Sequence, residues 1–307
     1  MTSVLPISIA TMAIRRYRGV DELGEHVASL AAAAIQSGSS LLLLPELTCV
    51  GLLWSDAQAG GVEAASVGAF YRKVLTPLYP AYCETLSGIA VHHKLTIAGA
   101  SFWHEDGGVG VNTALVFTPE GGVVHQDKLH PTRGERAIST AGGNGLTTFE
   151  VAGVKCGMPV CYDVQFPEVT RLLVEQGVEV LLVPSLTDER GTKRVWHSAH
   201  ARALENQLFV CVSPIVGELG IPRDYPVRAM GRAFVACPID NRFGIEDGTY
   251  ACAQDGGEGL LSVKLDLDTL RLSRSKGEVR HLSDRRPALY ASLNNSLQRQ
   301  RETDAVT

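Results

Sequence analysis

The sequence predicts an α/β fold, and three observations carry that expectation. Short β-rich runs alternate with helical stretches along nearly the whole chain. Most of those runs are apolar at consecutive positions, the pattern of strands buried on both faces. One helix–strand phrase also occurs twice, as "AAAAIQSGSSLLLLPEL" (31–47) and "RLLVEQGVEVLLVPSL" (171–186). Each runs helix, glycine, buried strand, proline, polar residue, leucine. Two related βαβ-type halves packing their sheets together, with helices outside, satisfy all three observations. Convergence would produce the same phrase, because helix–Gly–strand–Pro is common punctuation.

Strands are expected at "ISIATM", "LLLLPEL", "LTIAGASF", "NTALVF", "VKCGMPVCY", "EVLLVPSL", "LFVCVSP", "RAFVACPI" and "LLSVKLDL". Helices are expected at "VDELGEHVASLAAAAIQSG", "YPAYCETLSGIAVHHK", "FPEVTRLLVEQG" and "VWHSAHARALENQ", several ending near Gly, Asn or Lys as helix C-termini do. "NTALVFTPEGGVVHQDK" turns at Pro-Glu-Gly-Gly and "TTFEVAGVKCGMPV" at Ala-Gly, so both read as hairpins. No linker interrupts residues 1–285, which are expected to form one domain. Residues 286–307 form a C-terminal arm whose end, "QRQRETDAVT", loses apolar periodicity and is expected to fray or lie on a partner.

A chain of 307 residues can bury a core without disulfides or metal staples. Hydrophobic residues at 45%, charged residues at 20% and a net charge of −5 fit a soluble protein and argue against nucleic acid or an anionic membrane as the main partner. The seven cysteines are scattered, without a Cys-x-x-Cys pair, and most stand in apolar runs. That implies free thiols in a reducing compartment. The N-terminus carries its charges after its apolar stretch, the reverse of a secretory signal. The longest apolar block, "ASLAAAAIQ", is too short to span a bilayer. The expected location is the cytoplasm.

Open α/β sheets place functional groups at strand ends, and three such ends stand out. Glu46 follows four leucines and Pro45, where desolvation would raise its pKa and suit it to general-base work. A strand-end glutamate can equally turn to water. Lys128 follows a strand in "VVHQDKLHPTRGER", with Glu135 close behind, and a lysine so placed can stabilise an oxyanion. Such a charged loop is also an ordinary solvated surface. Cys161, in "GMPVCYDVQFPE", precedes a helix start that favours an anion. A free thiol titrates near 8.5, so a nucleophile would need a base and a cation beside it. By position alone, Cys161 is a core thiol as readily as a nucleophile.

Taken in order, "LLLLPEL", "QDKLHPTRGE", "GMPVCYDVQFPE", "EVLLVPSLTDERG", "HARALENQ" and "RRPALY" resemble the nitrilase superfamily of carbon–nitrogen hydrolases over nearly the whole chain. Each motif is short, and the ordered set is specific. The resemblance implies a four-layer αββα sandwich, paired into homodimers or larger homo-oligomers. It implies a catalytic triad of Glu46, Lys128 and Cys161, with Glu135 as a second, structural or proton-handling glutamate. It also implies an oxyanion site at the backbone N–H of Tyr162, and no metal or organic cofactor. Cys-Tyr-Asp resembles the amidase-like branches, whereas "KLHPTRGER" is closer to the nitrilase version of the lysine segment. The favoured expectation is hydrolysis of a small polar amide or carbamoyl amide through a thioester on Cys161. The alternatives are a nitrilase and a non-catalytic binding protein on the same fold.

Trp54, Phe166 and Thr187 are candidate substrate contacts, Trp54 and Phe166 as pocket wall and Thr187 at a strand exit; either aromatic could equally be core. His197 and His200 have helical metal spacing but no third ligand, so a structural role is expected. "GGVGVN" is a weak phosphate cradle. "DERGTKR" reads as a solvated loop or, from its place after a strand end, as a substrate rim. A redox role for Cys161 would need a partner thiol, and Cys156 is expected to point to the opposite face.

Overall fold

The computed structural model describes residues 3–226 and 228–304. In chain order its elements are β1 (Val4–Ala13), α1 (Val20–Gln36), β2 (Leu41–Leu43), α2 (Val67–His93), β3 (Thr96–Asp106), β4 (Val109–Phe117), β5 (Val123–Asp127) and α3 (Arg133–Ala137). They continue as β6 (Thr148–Val151), β7 (Val154–Gly157), α4 (Pro167–Glu175), β8 (Val180–Ser185), α5 (Glu189–Asn206) and β9 (Phe209–Glu218). The last are β10 (Arg228–Ala229), β11 (Phe234–Ala236), β12 (Thr249–Cys252), β13 (Gly259–Asp266), α6 (Leu267–Lys276) and α7 (Pro287–Asp304).

Strand pairing gives one sheet in the order β13-β1-β2-β3-β4-β5 and a second in the order β12-β11-β9-β8-β7-β6. A short parallel pairing of Met12 and Ala13 with Ile215 and Val216 joins them. Three apolar clusters fill the three spaces between four layers. Leu42, Leu44, Ile97 and Leu115 pack outward against α1 and α2. Their neighbours Leu41, Leu43, Ala98 and Ala114 point inward and meet Val180, Leu182, Phe209 and Cys211 from the other sheet. Leu181, Val183, Val210 and Val212 then face outward again, against Val195, Ala199 and Ala203 of α5. Side chains alternate with period two. A strand covered on both faces must be apolar at every position, which is why "LLLL" and "VLLV" carry no polar alternation. The αββα sandwich with two corresponding halves is thus present, α1–β2 answering α4–β8.

Both expected hairpins form, β4–β5 and β6–β7. Ala152 and Gly153 take φ of 51° and 75°, the pair of positive values a type I′ turn requires. Four elements differ from expectation. Helix α2 begins at Val67 rather than near Tyr79 and contains Pro77 and Pro80. Those prolines argue locally against a helix, and burial of Phe70, Tyr71, Val74 and Leu75 overrides them. "DERGTKR" is not a loop. Asp188 accepts the Gly191 N–H at 2.6 Å, and α5 starts at Glu189. The C-terminal arm is helical from Pro287 to Asp304, while residues 305–307 of the end expected to fray or lie on a partner are outside the described residues. Finally, β7 stops at Gly157, so Cys161 lies beyond the strand and opens a 3₁₀ turn, Cys161–Gln165.

Candidate active site

Polar groups converge where the C-terminal ends of β2 and β8 meet across the sandwich. Beyond β2, Leu44 N–H still bonds Ala98, Pro45 ends the ladder, and Leu47 turns back with φ of 51°. That reversal buries Glu46. Lys128 follows β5 directly, and its own N–H donates to the carbonyl of Asn112 on β4. Cys161 has φ of 49°. Left-handed backbone is costly for a residue with a side chain and is held only when its surroundings over-determine it.

Glu46, Lys128 and Asn112 are each at most 2% exposed, and Cys161 is 3% exposed. Lys128 Nζ donates to Glu46 Oε1 at 2.7 Å and to Glu135 Oε2 at 2.6 Å. Asn112 Nδ2 donates to the same two residues, to Glu46 Oε1 at 3.0 Å and Glu135 Oε1 at 2.9 Å. Glu135 is fixed further by a capping box, in which Thr132 N–H donates to Oε2 and Thr132 Oγ1 accepts the Glu135 N–H. The remaining oxygen of Glu46, Oε2, accepts the Leu186 N–H at 2.8 Å. The Leu186 carbonyl accepts the Cys161 thiol at 3.6 Å, and Ser185 Oγ donates to the sulfur at 3.5 Å. Leu186 therefore touches both the acid and the thiol. The two repeated strand phrases supply these partners, Glu46 from one and Ser185–Leu186 from the other.

Asp163 ties the lysine segment to the cysteine turn. Its carboxylate accepts the N–H groups of Leu129, His130 and Val160 at 2.8–3.2 Å and also meets His130 Nδ1. Phe166 stacks on His130 with ring centroids 3.7 Å apart.

The charges follow from burial and pairing. Burial pushes the Glu46 carboxyl above its ordinary pKa despite Lys128 beside it, and the Glu135 charge adds to the rise. Burial opposes ionisation of Glu135 too, but Lys128 and the hydrogen bonds outweigh it and its pKa falls. Burial alone would lower the Lys128 ammonium; Glu46 and Glu135 reverse that and raise it. The Cys161 thiol is pushed up, first by burial and then by the Glu46 charge. The site thus sets the Lys128 ammonium between two acids, beside a thiol whose ionisation burial opposes.

A cavity of about 340 Å³ opens beside this cluster, lined by Leu47, Trp103, Ile138, Leu219, Glu135 and Leu186 among others. None of Trp54, Phe166 and Thr187 lines it. Trp54 donates its indole N–H to Leu219 O at 2.9 Å, with Arg16 over its ring. Phe166 braces His130 and Tyr162. Thr187 bonds Thr192 and Met230 O. His200 spends both ring nitrogens on Trp196 O and Thr249, and no cluster of three metal-ligating side chains exists among the described residues.

Two participants lay outside the sequence reading. Asn112 was visible only as an amide opening the apolar run "NTALVF", and Ser185 as the polar residue of the repeated phrase. The Thr132-x-x-Glu135 spacing was a legible capping box.

The chain belongs to the carbon–nitrogen hydrolase family, whose model matches residues 7–274. Among curated relatives, the probable hydrolase YhcX of Bacillus subtilis is 27% identical over 292 residues, covering 94% of this chain and 55% of that protein. An (R)-stereoselective amidase of Pseudomonas sp. is 29% identical, over 83% of each chain. The omega-amidase NIT2 of Xenopus tropicalis is 26% identical, over 78% of this chain and 88% of its own. In fold, an amidase from Nesterenkonia sp. matches with a TM-score of 0.71 at 22% identity, covering 94% of this chain and 96% of that one.

Proposed function

We propose that the protein is an amidase in which Cys161 is the nucleophile, Glu46 the general base and acid, and Lys128 the oxyanion's cation. The observation that carries this reading is the Lys128 ammonium shared by Glu46 and Glu135 in a buried cluster that ends on the Cys161 sulfur. Burying charges costs free energy that pairing only partly offsets, such groups cluster at functional sites, and this arrangement suits acyl transfer. An amide carbonyl at the sulfur draws the thiol proton to Glu46 as the S–C bond forms. Lys128 and the Tyr162 N–H, at the start of the 3₁₀ turn where backbone donors lack internal acceptors, stabilise the oxyanion. Glu46 returns the proton to the leaving amine as the C–N bond breaks. Water, deprotonated by Glu46, then splits the thioester and regenerates the thiol. Glu135 and Asn112 keep Lys128 and Glu46 in place throughout.

Each step uses groups of this chain, and the cycle requires no cofactor. That two relatives are named as amidases supports an amide rather than a nitrile as this chain's substrate. The same reading takes the cytoplasm as the location, supported by seven free cysteines, and a homo-oligomer as the working form. Supporting the latter, Leu289, Tyr290, Leu293 and Leu297 stand exposed on α7. No helix among the described residues is long and apolar enough to cross a membrane. Ammonia release from a panel of primary amides and nitriles, by wild type beside Cys161→Ala, tests the assignment. Release by wild type alone is expected; equal release by Cys161→Ala would overturn it.

A further inference from the structure

We infer that the substrates are primary amides with an uncharged, apolar acyl group, and that amides carrying a second, free carboxylate are excluded. This inference rests on the amidase reading above and concerns the cavity at that site. Leu186 and Glu135 belong both to the cavity wall and to the Cys161–Lys128 cluster, so a group attached to the reacting carbonyl enters this space. Ammonia as leaving group needs no pocket; the acyl group does. At about 340 Å³ the cavity lies near the lower end of the ~300–1,000 Å³ range of small-molecule sites.

Its lining decides what fits. Val67, Tyr71, Ile221 and Tyr225 continue the apolar wall around Leu47, Trp103, Ile138 and Leu219. No Lys, Arg or His lines it among the described residues, and its carboxylate, Glu135, is already bonded to Lys128, Asn112 and Thr132. Of the guanidinium groups on flanking segments, Arg223 pairs with Glu63, Arg15 with Glu258, Arg16 lies over Trp54 and Arg136 bonds Pro131 O, while Arg133 is exposed to solvent and does not line the cavity. Lys128 is held by two carboxylates. An entering carboxylate would lose water, meet no cation in the lining and approach Glu135, each of which disfavours it. An alkyl chain meets none of these penalties. The small polar substrate expected from sequence motifs does not match such a wall.

The mouth is similarly built. Arg223 N–H bonds Val62 O at 2.8 Å and Asp224 accepts the Ala64 N–H at 2.8 Å, clamping the segment that carries Tyr225 against the one that carries Ala64. Both residues line the cavity, and Tyr225 is 77% exposed at its rim.

The test is kcat/KM for acetamide, butyramide, hexanamide and succinamic acid with the full chain, with acylation of Cys161 read in parallel by intact mass. Each added methylene is expected to raise kcat/KM about fourfold, the equivalent of ~0.8 kcal/mol per buried CH₂. Succinamic acid is expected to fall at least 100-fold below hexanamide. Tyr225→Arg, at the exposed rim, is expected to narrow that gap. Succinamic acid equal to or better than hexanamide, with Cys161 acylated, would overturn this inference and leave the amidase reading intact. Turnover without acylation of Cys161, or no acylation by any amide, would overturn both.

Discussion

Replacing Asn112 by Ala removes one amide that serves two acids. Asn112 Nδ2 stands 3.0 Å from Glu46 Oε1 and 2.9 Å from Glu135 Oε1, and its own Oδ1 has no partner, so the donors are what the change deletes. A hydrogen bond to a charged acceptor contributes ~1.5–3 kcal/mol. Against Glu46 that energy favours only the ionised carboxylate. Its loss therefore shifts the carboxylate-to-acid ratio roughly 10- to 150-fold toward the acid, at about 1.4 kcal/mol per tenfold. The sign is definite. Glu46 must be ionised to take the thiol proton, and burial already holds its pKa high. Losing a partner raises it further, so activity disappears at a higher pH as the solution is acidified. The assay is kcat/KM against pH for wild type and Asn112→Ala, with a urea melt to report folding. On the acid side of the profile the variant is expected to fall ~10- to 150-fold below wild type while the alkaline plateau changes much less. A folded variant whose acid limb coincides with that of wild type would refute the role given to Asn112 and the electrostatic account of Glu46.

Three further outcomes follow from the same geometry. Lys128→Met leaves two buried carboxylates without their cation; a loss of ~3–5 kcal/mol in unfolding free energy is expected by urea titration, and the surviving folded enzyme should lose 10²–10³-fold in kcat. Wild-type kcat/KM should decline on acidification at a pH above the ordinary carboxylate value of 4.5, because Glu46 is raised; a limb at or below 4.5 would contradict its assignment as base. Asp163→Ala frees the N–H groups of Leu129, His130 and Val160; kcat should fall more than KM rises, since both Lys128 and Cys161 lose their anchor, and equal effects on each would argue that Asp163 acts on substrate binding alone.

Which parts of this site could be read from the chain depends on how local their cause is. Glu46 and Cys161 each follow a buried strand, and a polar group there contradicts its surroundings within a few residues; Lys128 follows the mostly exposed β5 and stands out only through the ordered set of motifs. The capping box around Glu135 is equally local. Asn112 is not: it lies inside β4, and only the pairing of β4 with β3, together with its carbonyl's bond to the Lys128 N–H, brings it to Glu46 and Glu135. The cavity wall comes from separate segments reaching from Ile14 to Tyr225, so size and nearness in sequence misdirect. Trp54 and Phe166 are large and close to catalytic candidates, yet they brace Leu219 and His130. The fold was legible because consecutive apolar positions mean two covered faces. Helix α2 was legible only in part, because Pro77 and Pro80 are local objections that tertiary burial outweighs.

The central claim is that Cys161 carries the acyl group. Rapid-quench intact mass with hexanamide, followed by peptide mapping, measures it directly. The account predicts an acyl adduct confined to the peptide that contains Cys161, accumulating further in Glu46→Gln if acylation survives there, and absent from Cys161→Ala. Turnover by Cys161→Ala, or an adduct on any other residue, would contradict it.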